Sequence, residues 1–149
     1  MKTALGLTCA ALVGLLACAA EPEEPDTALG KDTEGYDLTR EVTSDGGSYT
    51  LSYTPEPDPI PPVSNFSLLL DLIDNASGEP VVGASLELDA TMPEHNHGMN
   101  TNPPVLEVGE GSYRVDGMQF HMSGHWQMDF RIVHQESVDT AVFHAVCCE

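Results

Sequence analysis

Two short segments of the chain concentrate histidine and methionine. They are Met92-Pro93-Glu94-His95-Asn96-His97-Gly98-Met99 and Met118-Gln119-Phe120-His121-Met122-Ser123-Gly124-His125-Trp126, and together they hold four of the six histidines and four of the six methionines. Imidazole binds copper and zinc, and the thioether of methionine is a soft ligand that selects Cu(I) over harder ions. In an oxidising compartment thiolates are unreliable, whereas methionine and histidine remain durable soft ligands. The two segments therefore indicate a site for a soft metal ion.

The spacing within the first segment favours joint binding. His95 and His97 are two residues apart, so in an extended backbone both side chains point the same way. Two alternatives remain open: a histidine-rich loop that is merely solvated, and methionines that fill the hydrophobic core. Met128 is expected in the core, because it shares a strand face with Trp126.

The N-terminus has the parts of a signal peptide. Lys2 supplies positive charge, and the apolar run that follows ends at Leu15-Leu16-Ala17-Cys18. This run is shorter than the ~18–20 residues needed to span a bilayer, which predicts a signal peptide and not a membrane helix. The ending resembles the bacterial lipobox, which implies removal of residues 1–17 and a lipid on Cys18. We therefore expect a lipid-anchored protein of the cell envelope.

The residue after Cys18 predicts which membrane holds the lipid anchor. Ala19 stands where an Asp retention signal would be. In a cell with an outer membrane, the resemblance therefore implies anchoring in that membrane, facing the periplasm or the cell surface.

The mature chain is strongly acidic. Loss of Lys2 leaves four of the five basic side chains against 24 acidic ones. This balance argues against nucleic acid as a partner, because neutralising phosphates requires Lys and Arg. It equally disfavours direct adsorption to anionic lipid.

The composition divides the mature chain into a linker and a domain. Residues 18–47 are predicted to be a disordered acidic linker, because stretches such as Glu21-Pro22-Glu23-Glu24-Pro25-Asp26 carry no apolar surface to bury. Residues 48–149 are predicted to be all-β, with about seven strands and no helix. The predicted strands cover 48–53, 65–74, 86–88, 105–108, 113–115, 126–132 and 139–146. Alternating runs separated by Gly, Pro and Asn favour an immunoglobulin-like antiparallel β-sandwich.

Three ordered motifs resemble the YtkA-like domain family. They are the Met-Pro-x-His-x-His-Gly segment that starts at Met92, Gly-x-Tyr at Gly111, and Met-x-Gly-x-Trp at Met122. The resemblance implies a small exported or membrane-attached immunoglobulin-like domain, often related to copper handling. It also implies a candidate site formed by Met92, His95, His97, Met99 and Met122. The family pattern gives no role to His121 and leaves His125 at a variable position.

Three functions follow from these residues. The first is a lipid-anchored copper-binding module that scavenges, buffers or delivers Cu(I). The second is a metal-free interaction module that contacts another envelope protein. An enzyme is disfavoured, because no Gly-x-Ser-x-Gly or His-Glu-x-x-His motif brings Ser, His and acidic residues together.

The adjacent pair Cys147-Cys148 has several possible roles. Neighbouring Cα atoms lie about 3.8 Å apart, closer than the ~4.4–6.8 Å usual for a disulfide. The two thiols could bind metal, link to a second chain, or have no role.

Overall fold

Alternating burial runs along each long strand of the computed structural model, which describes residues 35–148. In β8 (Gly124–His134), for example, Trp126, Met128, Phe130 and Ile132 are fully buried, whereas Gln127, Asp129 and Arg131 between them are not. Side chains of successive strand residues point to opposite faces, so this alternation turns one face of the strand to the core. The alternation that predicted the long strands is confirmed.

The described residues form nine strands and no helix. The strands are β1 (Glu41–Thr43), β2 (Tyr49–Glu56), β3 (Phe66–Asp74), β4 (Ser85–Met92), β5 (His97–Gly98), β6 (Val105–Gly109), β7 (Ser112–Met118), β8 (Gly124–His134) and β9 (Ser137–Cys147). All seven predicted strands are present, and the two that the sequence did not reveal are the short edge strands β1 and β5.

Two antiparallel sheets pack face to face. The first has the strand order β1-β2-β3-β7-β6 and the second has the order β5-β4-β8-β9. Without the short β1, the first sheet follows the A-B-E-D order of immunoglobulin domains, and the second follows C′-C-F-G. The predicted immunoglobulin-like sandwich is therefore confirmed in its connections as well as in its strand content.

The core between the sheets is aromatic at its centre. Its largest fully buried side chains include Trp126, Tyr113, Phe120, Phe130 and Phe143. Phe143 of β9 meets Phe130 of β8 edge to face, with ring centroids 5.8 Å apart. The core also takes in Met92, Met118 and Met128, each at most 1% exposed, so core packing by these three methionines is observed.

The folded part begins earlier than the predicted boundary at residue 48. β1, inside the predicted linker 18–47, pairs with β2 from Glu41↔Ser52 to Thr43↔Thr50. Ser44 is buried and donates to the carboxylate of Asp139 in β9 at 2.6 Å. Hydrogen bonds to β2 and to Asp139 thus attach this acidic segment to the domain, although its composition predicted a linker.

Several predictions fall outside the described residues. They are the signal peptide at 1–17, the lipid attachment at Cys18, and the linker as far as residue 34. Between residues 35 and 148 there is no helix with the length and apolar character to cross a membrane.

Candidate metal site at one end of the sandwich

A tight turn between β4 and β5 positions the first histidine segment. The backbone N–H of His95 donates to Met92 O at 3.1 Å, and Asn96 has φ +54°. Asparagine tolerates this left-handed conformation better than most residues. The turn reverses the chain so that Met92 and His97 become directly opposed partners. Directly opposed residues of an antiparallel pair share one face, with Cβ atoms about 4.5–5.5 Å apart, so His97 is on the core face with Met92.

Trp126 positions the second histidine segment. Its ring is fully buried and stacks on Phe120, with centroids 4.4 Å apart and an interplanar angle of 6°. Its indole Nε1 donates to the backbone oxygen of Met122 at 3.0 Å. The tryptophan therefore fixes the connection from Phe120 to Met122 against the end of the core.

Two histidines, one from each segment, meet beside this tryptophan. The ring centroids of His97 and His121 are 5.2 Å apart. Both rings stand nearly perpendicular to Trp126, with centroids at 6.2 Å for His97 and 5.5 Å for His121. Among the described residues, Nδ1 of His121 is the buried side-chain nitrogen or oxygen atom that has no hydrogen-bond partner. We call Met92, His97, His121 and Trp126 the inner cluster.

The five site residues predicted from sequence lie at this end of the fold, but in different environments. Met92 is 1% exposed and faces His97, whereas Met122 is 39% exposed. His95 is exposed, and its ring centroid lies 5.8 Å from that of His97. Met99 packs partly buried against the core, and its N–H donates to Ala90 O at 3.0 Å. The structure thus brings Met92, His95 and His97 close together.

The donor chemistry limits what this end of the sandwich can bind. Within residues 35–148, no three His, Cys, Asp or Glu side chains are arranged to hold a metal ion. A site at the inner cluster therefore needs thioether sulfur as well as imidazole nitrogen. Cu(I) accepts both, and Nδ1 of His121 has no hydrogen-bond partner among the described residues. The residues present fit Cu(I) better than a harder ion.

A second group, the outer cluster, lies on the other face of β8. It consists of Tyr36, Glu94, His125 and His144. Nδ1 of His125 lies 3.1 Å from Glu94 Oε1, and its Nε2 lies 2.9 Å from Nδ1 of His144. Tyr36 stacks on His125 with centroids 3.6 Å apart, and its hydroxyl donates to Glu94 Oε1 at 2.8 Å. Covered in this way, His125 is only 2% exposed although its side chain points away from the core.

The contacts in the outer cluster fix a consistent direction of hydrogen bonding. Because the Glu94 carboxylate accepts, His125 donates from Nδ1, and with a neutral ring its Nε2 accepts from His144. The hydrogen bond from Tyr36 lowers the pKa of Glu94, with His125 contributing, and the same bond raises the pKa of Tyr36. Burial, followed by the proximity of His125, lowers the pKa of His144. The outer cluster is therefore ordered around an ionised Glu94.

One turn serves both clusters. Glu94 joins the outer cluster, while its neighbours His95 and His97 lie toward the inner one. The sequence interpretation left His125 without a role, placed Tyr36 in the linker, and did not single out His144. Knowledge of the β8–β9 register, with Gln127 opposite His144, would have put His125 and His144 on one face.

The C-terminal cysteines also lie at this end. Cys147 is fully buried and pairs with Gly124 at the start of β8. Its side chain contacts that of Cys148, and both sulfur atoms lie near Pro61 O, at 3.9 and 3.4 Å.

Fold and site together define a small immunoglobulin-like β-domain with a methionine–histidine cluster at one end. The family model described as YtkA-like matches residues 41–131, more than half of the 149-residue chain. The chain belongs to the YtkA-like family. The match includes both histidine segments and ends within β8, before β9 and His144. No curated protein and no solved structure matches the chain significantly.

Proposed function

We propose that this protein is a lipid-anchored copper-binding module of the cell envelope that scavenges, buffers or delivers Cu(I). The observation that supports it most is the opposition of Met92 and His97 across β4 and β5, beside the ring of His121. Met92 and His97 lie on the core side of this strand pair, and the ring of His121 lies next to that of His97. This donor set suits a soft, monovalent ion.

The sequence gives five candidate ligands for this ion, Met92, His95, His97, Met99 and Met122. His95 lies beside His97, while Met99 directly follows β5 and Met122 lies in the connection between β7 and β8. When bound, Cu(I) is cargo to be held and passed on. The protein's part is to supply neutral imidazoles and thioethers at a partly shielded position.

The anchor is the second half of the proposal. A lipid on Cys18 would keep the domain at the membrane, in the outer membrane where the cell has one. The acidic surface would keep it off the anionic headgroups, since like charges repel. We propose no catalytic role.

Competition with a coloured Cu(I) chelator tests copper binding. The background is the soluble domain with Cys147 and Cys148 replaced by Ser, because these thiols could capture Cu(I) independently of the site. The test variants are His95→Ala/His97→Ala and Met92→Leu/Met99→Leu. His134→Ala is the matched control. His134 is the last residue of β8, whose first residue, Gly124, lies at the end of the sandwich that holds the candidate site.

The proposal predicts that the background protein competes for Cu(I), that both test variants compete less well, and that the control does not change. Affinity should fall as pH drops below the ordinary histidine pKa of about 6.5, because imidazole must lose its proton to bind. Zinc should bind less well, because thioether is a poor ligand for it. Equal competition by all variants would exclude a Met/His site.

A metal-free interaction module is the second candidate. The observation that favours it is the edge strand β6, where Leu106 and Val108 are 59% and 56% exposed. An exposed apolar edge strand can add a strand from a partner. Absence of copper binding together with capture of an envelope protein that Leu106→Lys abolishes would favour this candidate.

A further inference from the structure

We propose that His121, and not His95, is the second imidazole ligand of the copper site, paired with His97. This inference rests on the proposed function and refines its ligand set. Neither the sequence motifs nor the family pattern gives His121 a role.

The first argument is position. His97 and His121 come from separate segments of the chain, one from β5 and one from the connection between β7 and β8. Their centroids are 5.2 Å apart, and both rings lie near Trp126, at interplanar angles of 72° and 76° to its ring. Trp126 is fully buried, so it gives two imidazoles from separate segments one fixed side chain to pack against. Rigid support of this kind is what a preorganised metal site requires.

The second argument is the unpartnered nitrogen. Buried polar atoms almost always have a hydrogen-bond partner, and Nδ1 of His121 has none. The neutral imidazole carries a lone pair on one ring nitrogen, which is the atom that binds metal. A metal ion at the inner cluster would satisfy this nitrogen.

His95 differs on each of these points. It lies in the β4–β5 turn, is exposed to solvent, and its ring is 5.8 Å from that of His97. Because the ring is exposed, solvent can satisfy its nitrogens without a metal. Binding there would also require two histidines of one short segment to converge, with no contact from the second segment.

The thioethers complete the set. Met92 is the direct partner of His97 across β4 and β5. Met122 directly follows His121, and the indole of Trp126 holds its backbone oxygen. Two imidazoles and two thioethers, His97, His121, Met92 and Met122, make a four-donor site of soft character.

Three single substitutions in the Cys147→Ser/Cys148→Ser background test the assignment. They are His121→Asn, His95→Asn and, as the matched control, His134→Asn. Cu(I) affinity is measured by chelator competition, and thermal melting reports whether each variant folds. Trp126 is the single tryptophan of the chain, so its emission reports on metal bound beside it.

We expect His121→Asn to weaken Cu(I) binding by about tenfold or more, since even residues that only orient a ligand cost 10–100-fold when lost. His95→Asn and His134→Asn should leave the affinity within about twofold of the background. Saturating Cu(I) should change the Trp126 emission in these two variants, and this change should be smaller in His121→Asn.

A measurement on the unsubstituted background protein covers the case in which His121→Asn does not fold. Two-dimensional nitrogen NMR of the imidazole rings with and without Cu(I) should shift the signals of His97 and His121 and leave that of His95 in place. If the His95 signal shifts and the His121 signal does not, the assignment is wrong although the copper site stands. If Cu(I) does not bind at all, the proposed function fails first and this assignment with it.

Discussion

The Nε2 atom of His125 lies 2.9 Å from the Nδ1 atom of His144. Only one of two nitrogens facing each other at this distance can carry a proton. A second proton between them would set two N–H donors against each other, and a positive charge on one ring disfavours a positive charge on the other. The pKa of His144 is lowered by burial first and by His125 second, while the carboxylates of Asp129, Asp37 and Glu94 partly offset this.

This lowered pKa predicts how stability changes with pH. The unfolded chain protonates His144 near its ordinary pKa of about 6.5, whereas the folded protein does so only at lower pH. As pH falls below about 6.5, the unfolded state binds more protons, so the free energy of unfolding should decrease down to the folded-state pKa and then level off. Glu94, whose pKa is lowered, should contribute a separate loss below about 4.3. Urea unfolding at a series of pH values measures both windows.

His144→Gln provides the control, since glutamine can hydrogen-bond but does not titrate. We expect the loss of stability that begins near pH 6.5 to become smaller in this variant, while the loss at acid pH remains. An unchanged profile would mean that another group causes the first loss.

Trp126→Ala should destabilise the domain by about 3–5 kcal/mol, because it removes a fully buried ring stacked on Phe120. Leu106→Ala, at a side chain that is 59% exposed, should change stability by about 0.5 kcal/mol or less. Chemical denaturation followed by circular dichroism measures both. A loss below about 1 kcal/mol for Trp126→Ala would contradict its central place in the core.

Gly111 and Gly78 make a matched pair of left-handed glycines, with φ +71° and +75°. A Cβ at Gly111 would meet Pro80 Cβ at 2.4 Å, whereas one at Gly78 has no atom within 4 Å. Both alanine variants should bear the conformational cost of about 1–3 kcal/mol, and Gly111→Ala should be the less stable because of the added clash. Thermal melting compares the two, and equal stabilities would mean that the β6–β7 turn moves freely away from Pro80.

Asp139→Asn tests the hydrogen bonds that connect Ser44 and Gly46, near the start of the domain, to β9. Asp139 accepts from Ser44 Oγ at 2.6 Å, Gly46 N at 2.7 Å and Thr140 N at 2.8 Å. Burial acts to raise its pKa, but these hydrogen bonds outweigh burial and lower it. Removing the charge at neutral pH should cost about 1.5–3 kcal/mol. Denaturation should show no comparable loss for Asp89→Asn, at an exposed position of β4.

Replacing Cys18 by Ser should move the protein from the membrane fraction to the soluble fraction. The motivation is the sequence Leu15-Leu16-Ala17-Cys18 at the end of the apolar N-terminal run. Fractionation with a salt wash, followed by immunoblotting, measures the distribution. Variant protein that remains in the washed membranes would rule out lipid attachment at this residue as the anchor.

The long strands could be predicted because burial on one face imposes a period of two on the sequence. The short edge strands could not. β5 has only two residues, both partly buried. β1 has three residues, and among these three only Val42 is partly buried. Strands this short carry no readable period, and backbone pairing with β4 and β2 defines them instead.

The candidate site was predictable in composition and not in arrangement. The sequence grouped His95 with His97, and their ring centroids lie 5.8 Å apart, but residues 93–96 form a turn and not the extended backbone that was expected. It gave no role to His121, because the approach of the β7–β8 connection to β5 depends on Trp126. It also could not predict the stacking of Tyr36 on His125, because residues 89 positions apart meet only in the tertiary fold.

The contacts of the N-terminal segment have a mechanical consequence. Tyr36 stacks on His125, and Arg40 donates two hydrogen bonds of 2.6 and 2.8 Å to Asp58. β1 follows these residues at the edge of its sheet. A pulling force that reaches the domain from its N-terminal side would act on these contacts in that order. It would then break the hydrogen bonds between β1 and β2 one after another. The first contact to bear the force would be Tyr36, which is also bonded to Glu94 in the turn beside His95.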